Sequence, residues 1–316
     1  TIDGAFYDID NQTAVDALLA AHARGVKIRI MTDTDNMTDK ENATLPRKQI
    51  TDLKNAGIEV KEDHRSGIMH NKFMIVDNKT VWTGSMNLTS NAIYRDNNNS
   101  LRLESTQLAS DYNEEFKRLF EQNLLGPNPH QIPFPQVTVG DAKIRLYFSP
   151  KGGTKAAVID ALSKAQKSIT FMTFSLTDPT IKDLVLAKKT AGLKIEGVMD
   201  DCLSRGKYSL IRPFKEAGMS FVRDGNQALL HHKVIIIDDQ TVITGSFNYS
   251  DSAENSNNEN TLIIDSKSVA AKYNQEYAKI KNSALTHKNI PSYDNPACGS
   301  KPKNSIGGRN FTEDSF

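Results

Sequence analysis

Cysteine, tryptophan and long apolar runs are scarce in this chain of 316 residues, which has two cysteines and one tryptophan. Two cysteines cannot form a disulfide scaffold, so the choice lies between one bridge, Cys202 to Cys298, and two unpaired thiols. No apolar run in the sequence is long enough to cross a bilayer. These absences argue against the small disulfide-rich proteins and against proteins with transmembrane helices.

An excess of one charge is also absent, because the formal net charge at pH 7 is +1. A protein dedicated to nucleic acid usually carries a clear basic excess, so this balance argues mildly against that class. It leaves room for a local basic cleft. The chain is long enough for one large domain or two medium domains with a proper core.

What the sequence does contain is one eighteen-residue pattern, present twice. Each copy has a histidine, a lysine two positions later, an aspartate five positions after the lysine, and Gly-Ser-x-Asn after six further residues. The copies run from His70 to Asn87 and from His231 to Asn248. A pattern of this length does not recur by chance, so both copies are expected to serve one function.

The histidine and lysine of each copy precede an apolar stretch that is typical of a strand. Strand side chains alternate between two faces, so residues two positions apart lie on the same face. Turn residues begin at each aspartate, and the resulting hairpin returns the serine and asparagine of each copy to that face. The side chains brought together are His70, Lys72, Ser85 and Asn87 in the first copy and His231, Lys233, Ser246 and Asn248 in the second.

These groups suit a tetrahedral phosphate. Lysine binds phosphate as a point charge, and positioned cations stabilise the charge that develops in phosphoryl transfer. The asparagines add amide donors, and the backbone N–H groups after each glycine are expected to help hold the anion. Two copies supply two histidines, one to attack phosphorus and one to protonate the leaving oxygen. This chemistry requires no metal and no other cofactor.

At these residues the chain resembles the phospholipase D superfamily, whose HKD motif, H-x-K-x4-D-x6-G-S-x-N, both copies match at every defining position. The resemblance covers residues 1–285. It implies an α/β fold of two duplicated lobes, with mixed sheets flanked by helices and one active site at the pseudo-twofold interface. It also implies phosphodiester hydrolysis in two steps through a phosphohistidine, without a metal.

The resemblance also implies roles for individual side chains. Both histidines and both lysines are expected to be catalytic, and the lysines and motif asparagines are expected to contact phosphate. Ser85, Ser246 and Asn98 are expected to support phosphate binding. The motif acids Asp77 and Asp238 are usually structural in the family.

An acid downstream of Gly-Ser-x-Asn orients a catalytic histidine in the family. Glu259 stands eleven residues after Asn248 and matches this position, whereas the same position of the first copy is Asn98. Because the acid of one lobe typically orients the histidine of the other, the resemblance pairs Glu259 with His70 and Asn98 with His231. The two halves are therefore not expected to play equal roles.

The duplication extends beyond the motifs. Residues 2–33 align with residues 169–200 at an offset of 167, and from residue 53 onwards the offset is 161. Four prolines in residues 126–139 predict a stiff linker, and the segment from residue 286 lacks periodicity and predicts disorder. The predicted organisation is a first lobe at 1–125, a linker at 126–140, a second lobe at 141–285 and a tail at 286–316.

The second copy begins with a predicted strand at 143–148 and a predicted helix at 157–165, which have no counterpart before Ile2. The first lobe is therefore predicted to lack its N-terminal strand and helix. A missing strand exposes the edge of a neighbouring strand, which proteins usually avoid. For that reason the natural protein is expected to be longer at its N-terminus.

Hydrolysis of a phospholipid head-group ester, the phospholipase D reaction, is the leading interpretation. The alternative is a metal-independent nuclease acting on DNA or RNA, because compact family members with short motif repeats include bacterial endonucleases. A third hypothesis is an inactive phosphate-binding module, which the intact His-Lys pairs disfavour. We expect a monomer that is an internal pseudo-dimer, has a phosphodiester as its partner and lacks a transmembrane segment. Many relatives are exported from bacteria, so an extracellular or periplasmic location is expected.

Overall fold

Each half of the chain forms a mixed β-sheet, and the strands of both sheets follow the same order. The computed structural model describes residues 1–286. The first sheet consists of β1 (Ile2–Phe6), β2 (Ile28–Thr32), β3 (Glu59–Glu62), β4 (Lys72–Val76), β5 (Thr80–Gly84) and β6 (Ser100–Glu104), in the order β3-β2-β1-β4-β5-β6. β2 and β3 run parallel to β1, whereas β4 pairs with β1 in the antiparallel sense.

The second sheet repeats this order and adds two strands at one edge. It consists of β7 (Gln136–Val139), β8 (Ala142–Ser149), β9 (Ser168–Thr173), β10 (Lys194–Met199), β11 (Ser220–Arg223), β12 (Lys233–Ile237), β13 (Thr241–Gly245) and β14 (Glu259–Asp265). Their order is β11-β10-β9-β12-β13-β14-β8-β7. The repeated order of six strands is the structural form of the duplication in the sequence.

Helices cover both faces of the sheets. The first lobe contains α1 (Gln12–Ala23), α2 (Lys48–Asn55), α3 (Ser90–Tyr94) and α4 (Thr106–Phe120). The second lobe contains α5 (Thr154–Ser163), α6 (Pro179–Thr190), α7 (Ile211–Glu216), α8 (Asp251–Asn255) and α9 (Lys267–Thr286). Single 3-10 turns follow β2 and β10, at Thr34–Asn36 and Leu203–Arg205.

Local sequence explains where α6 begins. The side chain of Asp178 accepts hydrogen bonds from the backbone N–H groups of Thr180 and Ile181, which would otherwise lack partners at a helix start. Pro179 occupies the first turn, where its missing N–H costs little. Ile181 and Val185 then lie one turn apart and are buried against the second sheet.

A tight hairpin in each lobe brings the end of the eighteen-residue pattern back to its start. Asp77 and Asn78 have φ values of 52° and 50°, and Asp238 and Asp239 have φ values of 54° and 53°. Two successive positive φ values are typical of the type I′ turn that joins antiparallel strands, and Asn and Asp tolerate them. The predicted hairpins are therefore confirmed, and they place Gly-Ser-x-Asn beside His-x-Lys.

The two lobes share a hydrophobic core. Leu108, Tyr112 and Phe116 of α4 belong to one buried cluster with residues of β4 and β5 in the first sheet and of β8 and β14 in the second. Short parallel bridges also cross between lobes, from Met69 to Asn258 and between residues 97 and 230. The segments that carry the two motif histidines consequently meet at the interface.

The linker prediction is wrong at its C-terminal end. Gln136–Val139 forms β7 and pairs with β8 in the second sheet, and Val137 is buried while its neighbours are more exposed. This alternation is that of an edge strand, and the prolines stop just before it. Among residues 1–286, no strand pairs with the outer edge of β6 as β8 pairs with β14.

Other predictions fall outside the part of the chain that the structure describes. The tail after Thr286 and Cys298 lie there, so disorder of the tail and the state of the cysteines stay predictions. Apart from the C-terminal end of the linker, the domain boundaries also stay predictions. No helix within residues 1–286 combines the length and apolar character needed to cross a membrane.

The two motif aspartates lie at the hairpin turns and have different partners. Asp238 accepts hydrogen bonds of 2.7–2.8 Å from the backbone N–H groups of Gln166, Lys167 and Ser168. Partial burial alone would raise the pKa of Asp238, but these three donors hold it below its usual value. The Asp77 side chain is 73% exposed, and no other side chain or backbone N–H of residues 2–286 donates a hydrogen bond to its carboxylate.

We expect Asp238→Ala to destabilise the protein by about 1–2 kcal/mol, because three N–H groups lose their acceptor. Asp77→Ala should cost less, since its carboxylate is largely exposed to solvent. Thermal unfolding of both variants measures the difference, and the phosphate-site chemistry should be unchanged in each. Equal midpoints for the two variants would show that the three bonds contribute nothing.

Candidate active site

The two His-x-Lys segments meet where the lobes join, and each is bonded to the opposite lobe. The backbone N–H of His70 donates to the carbonyl of Asn258 at 3.0 Å, and that of His231 donates to the carbonyl of Asn97 at 2.9 Å. Each segment then continues into a strand of its own sheet, β4 or β12. The histidines are therefore fixed by both lobes at once.

His70 lies against a carboxylate of the other lobe. Its Nδ1 is 2.9 and 2.8 Å from the two carboxylate oxygens of Glu259, and the side chains are 1% and 0% exposed. Glu259 begins β14 of the second sheet. With Nδ1 engaged in this way, Nε2 is the ring nitrogen available to a substrate.

His231 has a neutral partner instead. Its Nδ1 is 2.9 Å from Oδ1 of Asn98 and 3.1 Å from the carbonyl of Ser85. The amide of Asn98 is oriented by its other bonds, since Oδ1 accepts from the Ser85 hydroxyl at 2.8 Å and Nδ2 donates to the Ala92 carbonyl at 3.1 Å. Both partners of Nδ1 are thus acceptors, so Nδ1 carries the proton and Nε2 is again the available nitrogen.

The motif lysines are buried beside the histidines. Lys72 Nζ donates to the carbonyl of His70 at 2.6 Å, and Lys233 Nζ donates to that of His231 at 2.9 Å. Each ammonium group also lies over an aromatic ring of its own lobe, Tyr7 at 4.9 Å and Phe174 at 4.5 Å from the ring centroid. Cation–π attraction holds the ammonium while leaving its other donors for an anion.

The motif asparagines follow the hairpin strands β5 and β13, and their amides have few partners of their own. Both polar atoms of the Asn248 side chain and Oδ1 of Asn87 are buried without a hydrogen-bond partner among residues 1–286. Buried amides normally have partners, because leaving them unpaired costs free energy. Unpaired buried amides are suited to hold a polar ligand, and contact of these two with phosphate stays a prediction.

Ser85 and Ser246 are engaged within the protein. The Ser85 hydroxyl binds Asn98 and accepts from the Asn99 N–H at 3.1 Å, and the Ser246 hydroxyl accepts from the Asn260 N–H at 3.0 Å. The serine N–H groups donate to the carbonyls of residues 99 and 260. The prediction that these first N–H groups after the glycines hold an anion is therefore wrong. Direct phosphate contact by Ser85, Ser246 or Asn98 stays a prediction.

Burial of this many cations changes the protonation of the site. Burial, followed by the two nearby lysines, holds the pKa values of His70 and His231 well below their ordinary range. Burial lowers the pKa of Lys72 to about 7 and that of Lys233 well below its usual value, and the second lysine adds repulsion for Lys233. Burial raises the pKa of Glu259 to about 8, against the attraction of Lys72.

These shifts define the proton count of the site. The carboxyl of Glu259, whose pKa is raised to about 8, loses its proton as the pH rises through that value, and the resulting form has the His70 Nδ1–H donating to a carboxylate and a free Nε2 lone pair. At low pH both lysines are protonated while Glu259 is not ionised, which leaves an excess of positive potential in the site. An anion between the lysines would offset that excess and return their pKa values towards normal.

Sequence reasoning missed two further pairs of residues. Asp33 Oδ2 accepts from the backbone N–H of Met69 at 2.8 Å, and Asp200 Oδ2 accepts from that of Leu230 at 3.1 Å, so each holds the residue before a motif histidine. Burial raises the pKa of both aspartates to about 7. The other pair is Tyr7 and Phe174. The members of each pair are 167 residues apart, and this offset is the sequence signal that could have identified them.

Among residues 1–286, no group of three or more His, Cys, Asp or Glu side chains is arranged to hold a metal ion. Independence from metals stays a prediction. The functional groups of the candidate site are two imidazoles, two ammonium groups, one carboxylate and the two amides of the motif asparagines. These groups can bind a phosphate and transfer protons to and from its oxygens.

The fold is that of a pseudo-twofold α/β protein with two His-Lys sets at the interface between its lobes. The family model described as "Cardiolipin synthase, PLD-like domain" matches residues 1–120 and 158–281. The chain belongs to the phospholipase D superfamily. The expected family and fold are thereby confirmed.

Individual relatives agree with this placement. A phospholipase D from Rickettsia conorii is 28% identical over 169 residues, which are 53% of this chain and 84% of that protein. The mitochondrial cardiolipin hydrolase of Mus musculus is 42% identical over 120 residues, which are 38% of this chain and half of the relative's length. The solved phosphatidylserine synthase of Haemophilus influenzae shares the fold, with a TM-score of 0.67 at 12% identity over 90% of this chain and 81% of that one.

We expect the affinity for tungstate, a phosphate-like dianion, to fall as the pH rises from about 6 to 9. Lys72 loses its proton near pH 7 and the His70 and Glu259 pair loses one near pH 8, so each deprotonation removes positive charge from the site. The fall should approach about tenfold per pH unit for each linked proton. Calorimetry in buffers of different ionisation enthalpy measures both affinity and proton uptake.

The matched control is Lys279→Met, which removes an exposed lysine that pairs with Glu276. It should keep the pH dependence, whereas Lys72→Met should lose most of the affinity. Tungstate binding that is constant across this pH range would contradict the protonation scheme.

Proposed function

We propose that this protein hydrolyses phosphodiesters in two steps, with His70 as the nucleophile and His231 as the general acid and then the general base. The observation that carries the proposal is the difference between their partners, a carboxylate for His70 and an amide for His231. A carboxylate stabilises the cationic imidazole that a phosphohistidine resembles. An amide orients its histidine with less stabilisation of charge, which leaves the proton easier to transfer.

In the first step, the Nε2 lone pair of His70 attacks phosphorus and the bond from phosphorus to the leaving oxygen breaks. His231 gives its Nε2 proton to that oxygen, so the leaving group departs as an alcohol. In the substrate-free site the pKa of His231 is low because of burial and the lysines. A bound phosphodiester anion offsets the lysine charges and favours the protonated His231 that this step requires.

In the second step, neutral His231 takes a proton from water as the water oxygen attacks phosphorus. The bond from phosphorus to Nε2 of His70 breaks, its electron pair returns to the ring, and a phosphomonoester leaves. Both histidines are then back in their starting states. The cycle consumes one water and releases one alcohol and one phosphomonoester.

The lysines and motif asparagines supply the electrostatic part of the mechanism. Lys72 and Lys233 approach from opposite lobes, so they would flank the phosphoryl oxygens, and the amides of Asn87 and Asn248 would donate to the same oxygens. Donors that are already in place when charge develops cost no reorganisation during the reaction. Their burial strengthens the attraction because the local dielectric is low.

For the substrate, the proposal is a head-group phosphodiester of a phospholipid. Its support is the set of relatives named phospholipase D and cardiolipin hydrolase, together with a net charge of +1 that provides no general attraction to nucleic acid. The chain spans about half the length of the cardiolipin hydrolases it matches. A monomeric state and an extracellular or periplasmic location belong to the same proposal.

A substrate panel tests this function. Purified protein is given phosphatidylcholine vesicles, cardiolipin vesicles, single-stranded DNA and RNA, each with EDTA present. We expect release of lipid head group without added metal, because the site already supplies nucleophile, acid and anion clamp. Cleavage of DNA or RNA alone would replace the lipid substrate by the nuclease alternative. Loss of all activity in EDTA, restored by a divalent ion, would contradict the mechanism.

The histidine assignment predicts unequal variants on a p-nitrophenyl phosphodiester, whose leaving group needs no proton. His70→Ala should abolish turnover. His231→Ala should retain more activity and accumulate phosphoenzyme, because loss of a general acid costs about 10² to 10⁴ in rate and least with good leaving groups. Rapid quenching and mass spectrometry locate the adduct.

An adduct on His231 would reverse the assignment. If the wild type binds tungstate but shows no turnover, the protein is better described as an inactive phosphate-binding module.

A further inference from the structure

Two asparagines beside the site have side chains that cross between the lobes: Asn99, which is half-buried, and Asn260, which is buried. They stand at the 161-residue offset and directly follow Asn98 and Glu259, the two partners of the catalytic histidines. The HKD motif does not include them. Their contacts are nearly identical in the two halves, which shows that the duplicated structure preserves one arrangement twice.

Asn260 is 0% exposed and joins the second lobe to the first. Its Nδ2 donates to Oδ1 of Asn71 at 3.0 Å, the residue between His70 and Lys72. Its Oδ1 accepts from the hydroxyls of Thr83 at 2.7 Å and Tyr112 at 3.1 Å. All three partners belong to the first lobe.

Asn99 makes the reciprocal contacts. Its Nδ2 is 3.0 Å from Nδ1 of His232, the residue between His231 and Lys233. Its Oδ1 accepts from the hydroxyls of Thr244 at 2.9 Å and Tyr273 at 3.1 Å. Because an amide nitrogen donates, His232 accepts and is neutral, which agrees with a pKa lowered by burial to about 3.

The backbone of each asparagine is held by its own lobe. The carbonyl of Asn260 accepts from the N–H of Ser246 at 3.0 Å and that of Asn99 from the N–H of Ser85 at 3.1 Å. A Cβ at Gly245 or Gly84 would lie 2.2 or 2.3 Å from these carbonyls. The absence of a side chain at each motif glycine thus permits the close approach of these carbonyls.

The geometry points to a two-point clamp at each histidine, in which Asn260 positions His70 and Asn99 positions His231. Consecutive strand residues point to opposite sides, so Glu259 and Asn260 hold two consecutive residues of the other lobe, His70 and Asn71, from two sides. A single contact at His70 would leave the ring free to shift along the interface. This inference rests on the proposed function only where it is tested by enzyme kinetics.

Removing the clamp should lower kcat while leaving KM nearly unchanged. The phosphate contacts belong to other side chains, whereas a shift of about 1 Å at the nucleophile costs about 10²-fold in rate. We therefore expect Asn260→Leu to reduce kcat by about 10²-fold. Tyr112→Phe removes one donor to Asn260 and should have a smaller effect of the same kind. Asn274→Leu, which removes a half-buried asparagine with a solvent-exposed hydrogen bond to Asp239, is the matched control and should leave both constants unchanged.

The duplicated structure offers a conservative test in the second clamp. His232→Asn recreates the pair of amides found between Asn260 and Asn71 and should keep kcat near the wild-type value. His232→Ala leaves Asn99 without this partner and should lower kcat. Equal kcat values for His232→Asn and His232→Ala would overturn the positioning role, because only the first keeps the contact.

A proton NMR measurement separates positioning from simple loss of stability and does not depend on activity. The proton between His70 and Glu259 should give a far-downfield resonance, assigned by its loss in Glu259→Gln. This resonance should disappear or shift in Asn260→Leu. The milder variant Tyr112→Phe should keep the fold and the thermal midpoint of the wild type. An unchanged resonance in Asn260→Leu would refute the clamp. If the wild type shows no turnover but Asn260→Leu loses the resonance as predicted, only the proposed function is refuted and the clamp stands.

Discussion

The contact between each histidine and a residue of the opposite lobe is the constraint on which the rest of the structure depends. His70 belongs to the first lobe and Glu259 to the second, and both are almost completely buried. Neither lobe alone can orient its own histidine through this contact. The shared core around α4 is therefore part of the catalytic arrangement, since it fixes the distance between a ring and its acceptor.

Burial makes this arrangement costly and useful. Two lysines and two histidines at one interface repel one another and lose hydration, which is why the pKa of Lys72 falls to about 7. The cations are held by carbonyl acceptors, aromatic faces and the single carboxylate of Glu259. A site of this kind is stabilised by an anion more than an exposed cluster would be, because low dielectric strengthens each attraction.

Local features of this structure were predictable, and contacts across the interface were not. The hairpins at Asp77 and Asp238 follow from turn chemistry, and the alignment of His with Lys follows from strand alternation. Periodicity says which face a residue occupies but not which partner it meets there. For that reason the sequence does not predict the contacts of Asn260, one residue after a predicted catalytic acid, although its side chain spans the lobes. The strand β7 was missed for a related reason, since four nearby prolines outweighed a short alternating segment.

Beside the two histidines the lobes differ at the position of the downstream acid, which is Asn98 in one and Glu259 in the other, and charge explains the effect of this difference. The first lobe also has an acid in this region, Asp96, but it lies two residues before Asn98 and accepts the backbone N–H of Leu229 at 3.1 Å instead of a histidine. Its counterpart is Asn257, which accepts the N–H of Ile68 at 3.3 Å. Each lobe thus has one carboxylate in this segment, Asp96 or Glu259, and only that of Glu259 contacts a histidine ring. A second carboxylate at position 98 would make the histidines equivalent and would weaken the attraction for an anion. The amide at that position keeps the imidazole oriented without cancelling the positive field, so one scaffold can hold two histidines with different affinities for a proton.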